Sequence, residues 1–156
     1  MEKYYFVTHW FFLAPIERVW SELTNVQSWP TWWQEFKRVT VREPDSKLNV
    51  GSVADCEVKG GLPYTLRFSM SATALQPPNL IHFKIRGDLE GDYRWVLQSQ
   101  SGGTAVTAYW DCGTPNPIMN FLAKLPLMKG ILERNHENLM VSGYRVLKQR
   151  LEGQGD

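Results

Sequence analysis

The stretch Pro117–Leu151, PIMNFLAKLPLMKGILERNHENLMVSGYRVLKQRL, decides the fold of this chain. It reads as one long amphipathic helix with a proline inside it. Leu132, His136, Leu139, Met140, Gly143, Val146, Leu147 and Leu151 recur at helical spacing, and Glu133, Arg134, Glu137, Arg145, Lys148 and Gln149 fall on the opposite face. Pro126 has no N–H and its ring clashes with the carbonyl of Leu122, so a kink or short break is expected there.

Working backward from that helix, residues 38–111 read as successive short strands. Tyr64–Leu75 has the cleanest pattern. Tyr64, Leu66, Phe68, Met70 and Ala72 alternate with Thr65, Arg67, Ser69, Ser71 and Thr73. One apolar and one polar face is the signature of a half-buried antiparallel strand. Arg67 lies on the polar phase and is expected to face solvent. Ile81, Phe83 and Ile85 alternate with His82, Lys84 and Arg86, and Tyr93, Trp95 and Leu97 with Arg94, Val96 and Gln98. Further strands are expected at Lys37–Arg42, Gly51–Lys59 and Thr104–Asp111, with turns at 44–47, 60–63, 77–79 and 101–103. Such short connections predict an antiparallel meander.

The N-terminal part begins with a strand, Tyr4–Leu13, in which both alternation phases are apolar. Alternation therefore does not choose its inward face, nor that of 104–111. Pro15 suits the first turn of a helix that continues through Ile16, Val19, Trp20 and Leu23. Ser28–Phe36 reads as a second short helix, with Ser28 as its cap and Pro30 in its first turn. It carries Trp29, Trp32 and Trp33.

The expected architecture is α+β: a curved antiparallel sheet of about seven strands, two short helices after the first strand, and a long C-terminal helix enclosing a cavity. At 156 residues the chain is expected to form a single domain over 1–156. Lys and Arg total 17 against 16 Asp and Glu, leaving no basic excess to neutralise a nucleic-acid backbone. No apolar run is long enough to cross a membrane, and the N-terminus lacks a signal-peptide pattern, so a cytoplasmic location is expected. Cys56 and Cys112 form no CxxC and read as buried free thiols.

The order of elements, with several local patterns, resembles the START-like (SRPBCC) superfamily of polyketide cyclase/dehydrase-like and plant Bet v 1-type proteins. Leu13-Ala14-Pro15-Ile16-Glu17-Arg18-Val19-Trp20 is similar to the start of its first helix, and Trp29-Pro30-Thr31-Trp32-Trp33 to its Trp-rich second helix. Gly87–Gly91 with Trp95-Val96-Leu97 resembles its late hairpin, and Gly103–Thr107 the start of its last strand. Asn135-His136, Met140 and Gly143 resemble the middle of its gripping helix. The resemblance implies a helix-grip fold with a cavity for lipids, quinones, polyketides or similar molecules. It implies no shared catalytic motif, so the fold alone does not fix a function.

Three functions follow as expectations. The first is binding of a hydrophobic small molecule. Its candidate ligand-binding residues are Trp10, Trp33, Phe68, Phe83, Tyr93, Trp95, Trp110, His136 and Met140. For each aromatic, the alternative is a plain core position. The second is a cyclase or dehydratase using His136 or a tyrosine (Tyr64, Tyr93 or Tyr109) as acid or base. For His136 the alternative is a neutral imidazole bonded to strand backbone or water. The third is an interaction module with a filled core. The segment around Pro126 and the turns at Gly60-Gly61 and Pro77-Pro78 are candidate gates. His9, His82 and His136 lack metal-ligand spacing, and Asp88, Glu90 and Asp92 lack that of a calcium loop. No cofactor or metal is expected.

Overall fold

The strand β1 (Lys3–Phe12) shows which face the open, curved sheet turns toward the core. It pairs antiparallel with β7 (Gly103–Gly113), setting Phe6 opposite Trp110 and Trp10 opposite Val106. Residues directly opposite one another share a face. Because Val106, Trp110 and Cys112 point inward, the even residues of β1 do too, and Tyr5 is left 63% exposed on the convex side.

The computed structural model describes residues 3–43 and 47–153. The sheet has the order β1-β7-β6-β5-β4-β3-β2, with β2 at Phe36–Val41, β3 at Val53–Val58, β4 at Leu66–Gln76, β5 at Leu80–Gly87 and β6 at Glu90–Gln100. The pairs from β2 through β7 form the expected meander, and β1 joins its far edge. Pro44–Ser46 of the expected turn at 44–47 and the tail beyond Gly153 lie outside the described residues. Register shifts at Phe36/Arg38 and Ala72/Ala74 bend the sheet. Gly91, with φ +148, lies so close to Asp111 that a Cβ would collide with its carbonyl oxygen.

Between β1 and β2 come helix α1 (Ile16–Thr24) and a 3₁₀ segment, Val26–Thr31. The second helix expected over Ser28–Phe36 is thus shorter and earlier. Ser28 does not cap it; its hydroxyl donates to the Asn25 carbonyl at 2.7 Å, and Pro30 lies inside the segment rather than in its first turn. Trp32 and Trp33 follow it in a turn where the Trp33 N–H donates to the Trp29 carbonyl at 2.7 Å.

The long C-terminal helix is two helices, α2 (Pro117–Ala123) and α3 (Met128–Glu152). With no N–H at Pro126, the Leu122 carbonyl accepts instead from Leu125 at 3.1 Å, a tighter turn that ends the helical run. The distal end of α3 is pinned to the sheet side. Tyr144 donates its hydroxyl hydrogen to the Phe11 carbonyl at 2.8 Å, and Arg18 donates to the Leu151 carbonyl at 3.1 Å. The Glu152 carboxylate accepts from the Leu13 N–H at 2.9 Å and pairs with Lys148 at 2.7 Å.

Candidate functional site

The space gripped between sheet and α3 has a filled end and an open end. Tryptophans occupy the filled end. Trp10 and Trp95 have ring centroids 5.2 Å apart, Trp29 meets Trp33 at 5.4 Å and Trp95 at 6.3 Å, and Trp32 stacks on Trp33 at 5.2 Å. Phe83 packs edge-on against Trp29. Such rings pack at native density and leave little room.

The open end is a cavity of about 150 Å³. The sheet contributes Tyr4 and Phe6 from β1, Phe68 from β4, Tyr93 from β6, and Trp110 and Cys112 from β7. The α3 wall is Met128, Leu132, Asn135, His136, Leu139 and Met140. Trp33 and Phe36 separate the cavity from the tryptophan cluster, and Gly60, Leu62 and Tyr64 of the β3–β4 loop stand opposite α3. Leu122, 37% exposed, marks the outer rim.

Of the residues singled out in the sequence, Trp33, Phe68, Tyr93, Trp110, His136 and Met140 line this cavity. Trp10, Phe83 and Trp95 do not. They point inward as alternation requires, but they belong to the filled end. Tyr64 lines the cavity, whereas Tyr109 lies on the convex face under the Arg94 guanidinium, 4.3 Å from its ring centre. The Pro77-Pro78 turn is remote from the cavity. Pro77 borders a separate cleft with Trp20 and Leu75. The cavity is also lined by Tyr4 and Phe6 of β1, and by Leu132 and Leu139 of the apolar helix face. The helical periodicity of Leu132, His136 and Leu139 carried a signal for the helix wall, but the ambiguous phase of β1 carried none.

His136 departs from its expected environment. Its ring stacks on Phe6 at 4.3 Å, with 20° between planes, and tilts toward Trp110 at 5.9 Å. It forms no hydrogen bond to strand backbone or to any other group among the described residues. Burial among ring faces penalises the imidazolium and lowers its pKa to about 4. Tyr93 is fully buried, and burial raises its phenol pKa well above the ordinary value. Among the described residues its hydroxyl reaches only the Met140 sulfur, at 4.0 Å, a weak acceptor. Burial likewise pushes the Cys112 thiol up to about 12. No Asp, Glu, Lys or Arg lines the cavity among the described residues. At neutral pH its wall, among the described residues, is therefore uncharged, with an under-used donor at Tyr93 and an imidazole at His136 that has no hydrogen-bond partner there.

Asn135 ties the cavity's two lips together. The Gly61 N–H donates to its Oδ1 at 2.8 Å, linking the β3–β4 loop to α3. A Cβ at either Gly60 or Gly61 would stand 3.1 Å from that oxygen, so a side chain there would push the Asn135 amide back by a few tenths of an ångström.

Outside the cavity, Asp88 and Asp92 of the hairpin are engaged locally. Asp92 lies 3.0 Å from His82 and 3.8 Å from Lys84, and Asp88 accepts from the Arg67 N–H at 2.8 Å. Arg67 is exposed beside Glu57, as its strand phase predicts. Cys56 and Cys112 are buried free thiols. No helix among the described residues is long and apolar enough to cross a membrane.

The same architecture recurs in solved structures. A Thermus thermophilus protein, TTHA0849, matches with a TM-score of 0.79 at 15% identity, over 98% of this chain and 100% of that one. The ZhuI aromatase/cyclase from Streptomyces sp. R1128 matches with a TM-score of 0.76 at 15% identity, over 97% and 94%. Ginseng major latex-like protein 151 from Panax ginseng matches with a TM-score of 0.69 at 14% identity, over 96% and 97%. Identities this low establish the shared fold alone. No curated protein matches the sequence significantly. A family model does match, over residues 11–143, which takes in the Trp-rich turn, the whole meander and α3 as far as Gly143. The chain belongs to the polyketide cyclase / dehydrase and lipid transport family.

Proposed function

We propose that this protein binds an uncharged, ring-bearing hydrophobic molecule non-covalently, with an acceptor oxygen of the guest directed at the Tyr93 hydroxyl. The observation that carries this reading is the cavity wall: mostly aromatic and aliphatic, without Asp, Glu, Lys or Arg among the described residues, and with Tyr93 and His136 held neutral by burial. A carboxylate or phosphate placed there would lose its hydration and gain no counter-charge, so charged lipids are disfavoured. An apolar cavity of about 150 Å³ is large enough for roughly one benzene ring. A larger guest would lodge one ring or head inside and extend past Leu122 at the rim.

The cyclase or dehydratase reading draws on Tyr93 and His136 lining one cavity, and on the family's name. Acid–base catalysis works best with a pKa near the working pH. A histidine near 4 is a weak base at neutral pH, and a strongly raised tyrosine serves as a donor only. No hydrogen bond among the described residues links His136 to a second polar group, which favours a carrier. The filled-core interaction module fits poorly with a cavity of this size.

Native mass spectrometry of freshly purified protein, followed by denaturing extraction, tests the proposal. A co-purifying neutral aromatic compound, or saturable binding of naphthoquinone by the emptied protein, supports it. Failure to bind any uncharged ring compound, or preference for a free fatty acid, would overturn it.

A further inference from the structure

Between Asp111 and Glu133 the sequence contains no acidic residue and two lysines, Lys124 and Lys129. Within this stretch Ile118, Phe121, Leu125, Leu127 and Ile131 are 45% to 81% exposed. Elsewhere the exposed large apolar residues, such as Tyr5, Leu13, Val50 and Val141, are spread along the chain. Isolated apolar residues are ordinary on a surface, whereas a contiguous patch of them marks an interaction site. The break at Pro126 divides this segment into two helical pieces. Neither lysine forms an ion pair among the described residues. Leu122, Met128 and Leu132, from the same segment, line the cavity, so the exposed surface runs into its mouth.

We infer that residues 117–131 are a docking face for an anionic lipid bilayer surface. Apolar side chains would enter the headgroup boundary, and Lys124 and Lys129 would lie over lipid phosphates. A surface that mixes large apolar groups with cations and lacks acids complements a headgroup layer. A second copy of the chain complements it poorly. Stacking this face on itself would bring each copy's two lysines against the other's, with no carboxylate in the segment to meet them. An acidic protein surface would answer the lysines but leave the apolar groups without a partner.

Vesicle co-sedimentation tests this with the full chain. Vesicles of phosphatidylcholine alone would be compared with a phosphatidylcholine–phosphatidylglycerol mixture. The expected result is binding to the mixed vesicles, weakened about tenfold or more in Lys124→Ala/Lys129→Ala. It should be abolished in Phe121→Glu/Leu127→Glu. None of these four residues lines the cavity, so naphthoquinone quenching of tryptophan fluorescence in the same variants should be unchanged. That second readout separates failure of the docking face from failure of the cavity reading. No association with either vesicle, or association by both variants undiminished from that of the unsubstituted protein, would overturn the inference. So would a dimer in analytical sedimentation that Phe121→Glu/Leu127→Glu abolishes, since the face would then belong to a second copy.

Discussion

The indole of Trp33 lies directly on the backbone of Gly143. A Cβ at Gly143 would stand 2.7 Å from Trp33 Nε1 and 2.8 Å from Cε2, and the indole N–H donates to the Leu139 carbonyl at 2.9 Å. One glycine on the gripping helix thus seats the aromatic wall that divides filled core from cavity. In Gly143→Ala two effects oppose. Alanine favours the helix by up to about 1 kcal/mol. Against this, overpacking costs about 1–3 kcal/mol and displacing the indole loses a hydrogen bond of about 1 kcal/mol. The clash wins, and a net destabilisation of about 2 kcal/mol is expected in urea unfolding. Unchanged or increased stability would show that the seat is not tight.

His136 makes stability depend on pH. Its folded pKa, about 4, lies below the unfolded value near 6.5. The neutral ring is accommodated above pH 6.5. As pH falls toward 4 the unfolded chain takes up the proton first, and stability is lost over that window, by up to about 3 kcal/mol. In His136→Phe, which keeps a ring against Phe6, this loss should disappear while carboxylate titrations remain. Urea unfolding of both proteins across the window checks it. Parallel pH profiles would refute the burial of His136.

Tyr93 is expected to set orientation rather than stability. Among the described residues its hydroxyl has only the Met140 sulfur for a partner, so Tyr93→Phe leaves no strong acceptor stranded. Naphthoquinone affinity should fall by about 1 kcal/mol in this variant, whereas affinity for naphthalene, which has no acceptor, should not change. Calorimetry of the two ligands against both proteins decides it. Equal losses for both would assign Tyr93 a packing role only.

Trp95 illustrates what the sequence could and could not convey. Alternation along β6 correctly turns Trp95 inward, as it does Phe68 on β4 and Phe83 on β5. Facing inward is a property of one strand. Whether an inward residue borders a void depends on what other elements bring to it. Trp95 meets Trp10 from β1 and Trp29 from the 3₁₀ segment, and the space is full; Phe68 and Tyr93 meet the stretch of α3 around His136, and it is not. The break at Pro126 was legible because proline acts locally. The stacking of His136 on Phe6 was not, since it needs the phase of β1, which only pairing with β7 fixes. Accordingly, Trp95→Ala should cost about 3–5 kcal/mol of stability, read by urea unfolding. Any fall in ligand affinity should follow from that loss of structure.

Asn135 should govern how fast a guest enters and leaves. Its Oδ1 holds the Gly61 N–H across the rim, a polar tie between the β3–β4 loop and α3. The bond is exposed, so its removal should alter stability by no more than about 1 kcal/mol. A loop freed from such a tie opens more often, and opening limits exchange with a buried cavity. In Asn135→Ala, stopped-flow measurements with naphthoquinone should find association and dissociation both faster by several fold, with a smaller change in their ratio. If dissociation alone accelerates, Asn135 contributes binding energy to the guest instead of holding the rim. If neither rate moves, guests enter elsewhere, and the rim at Leu122 becomes the route to examine.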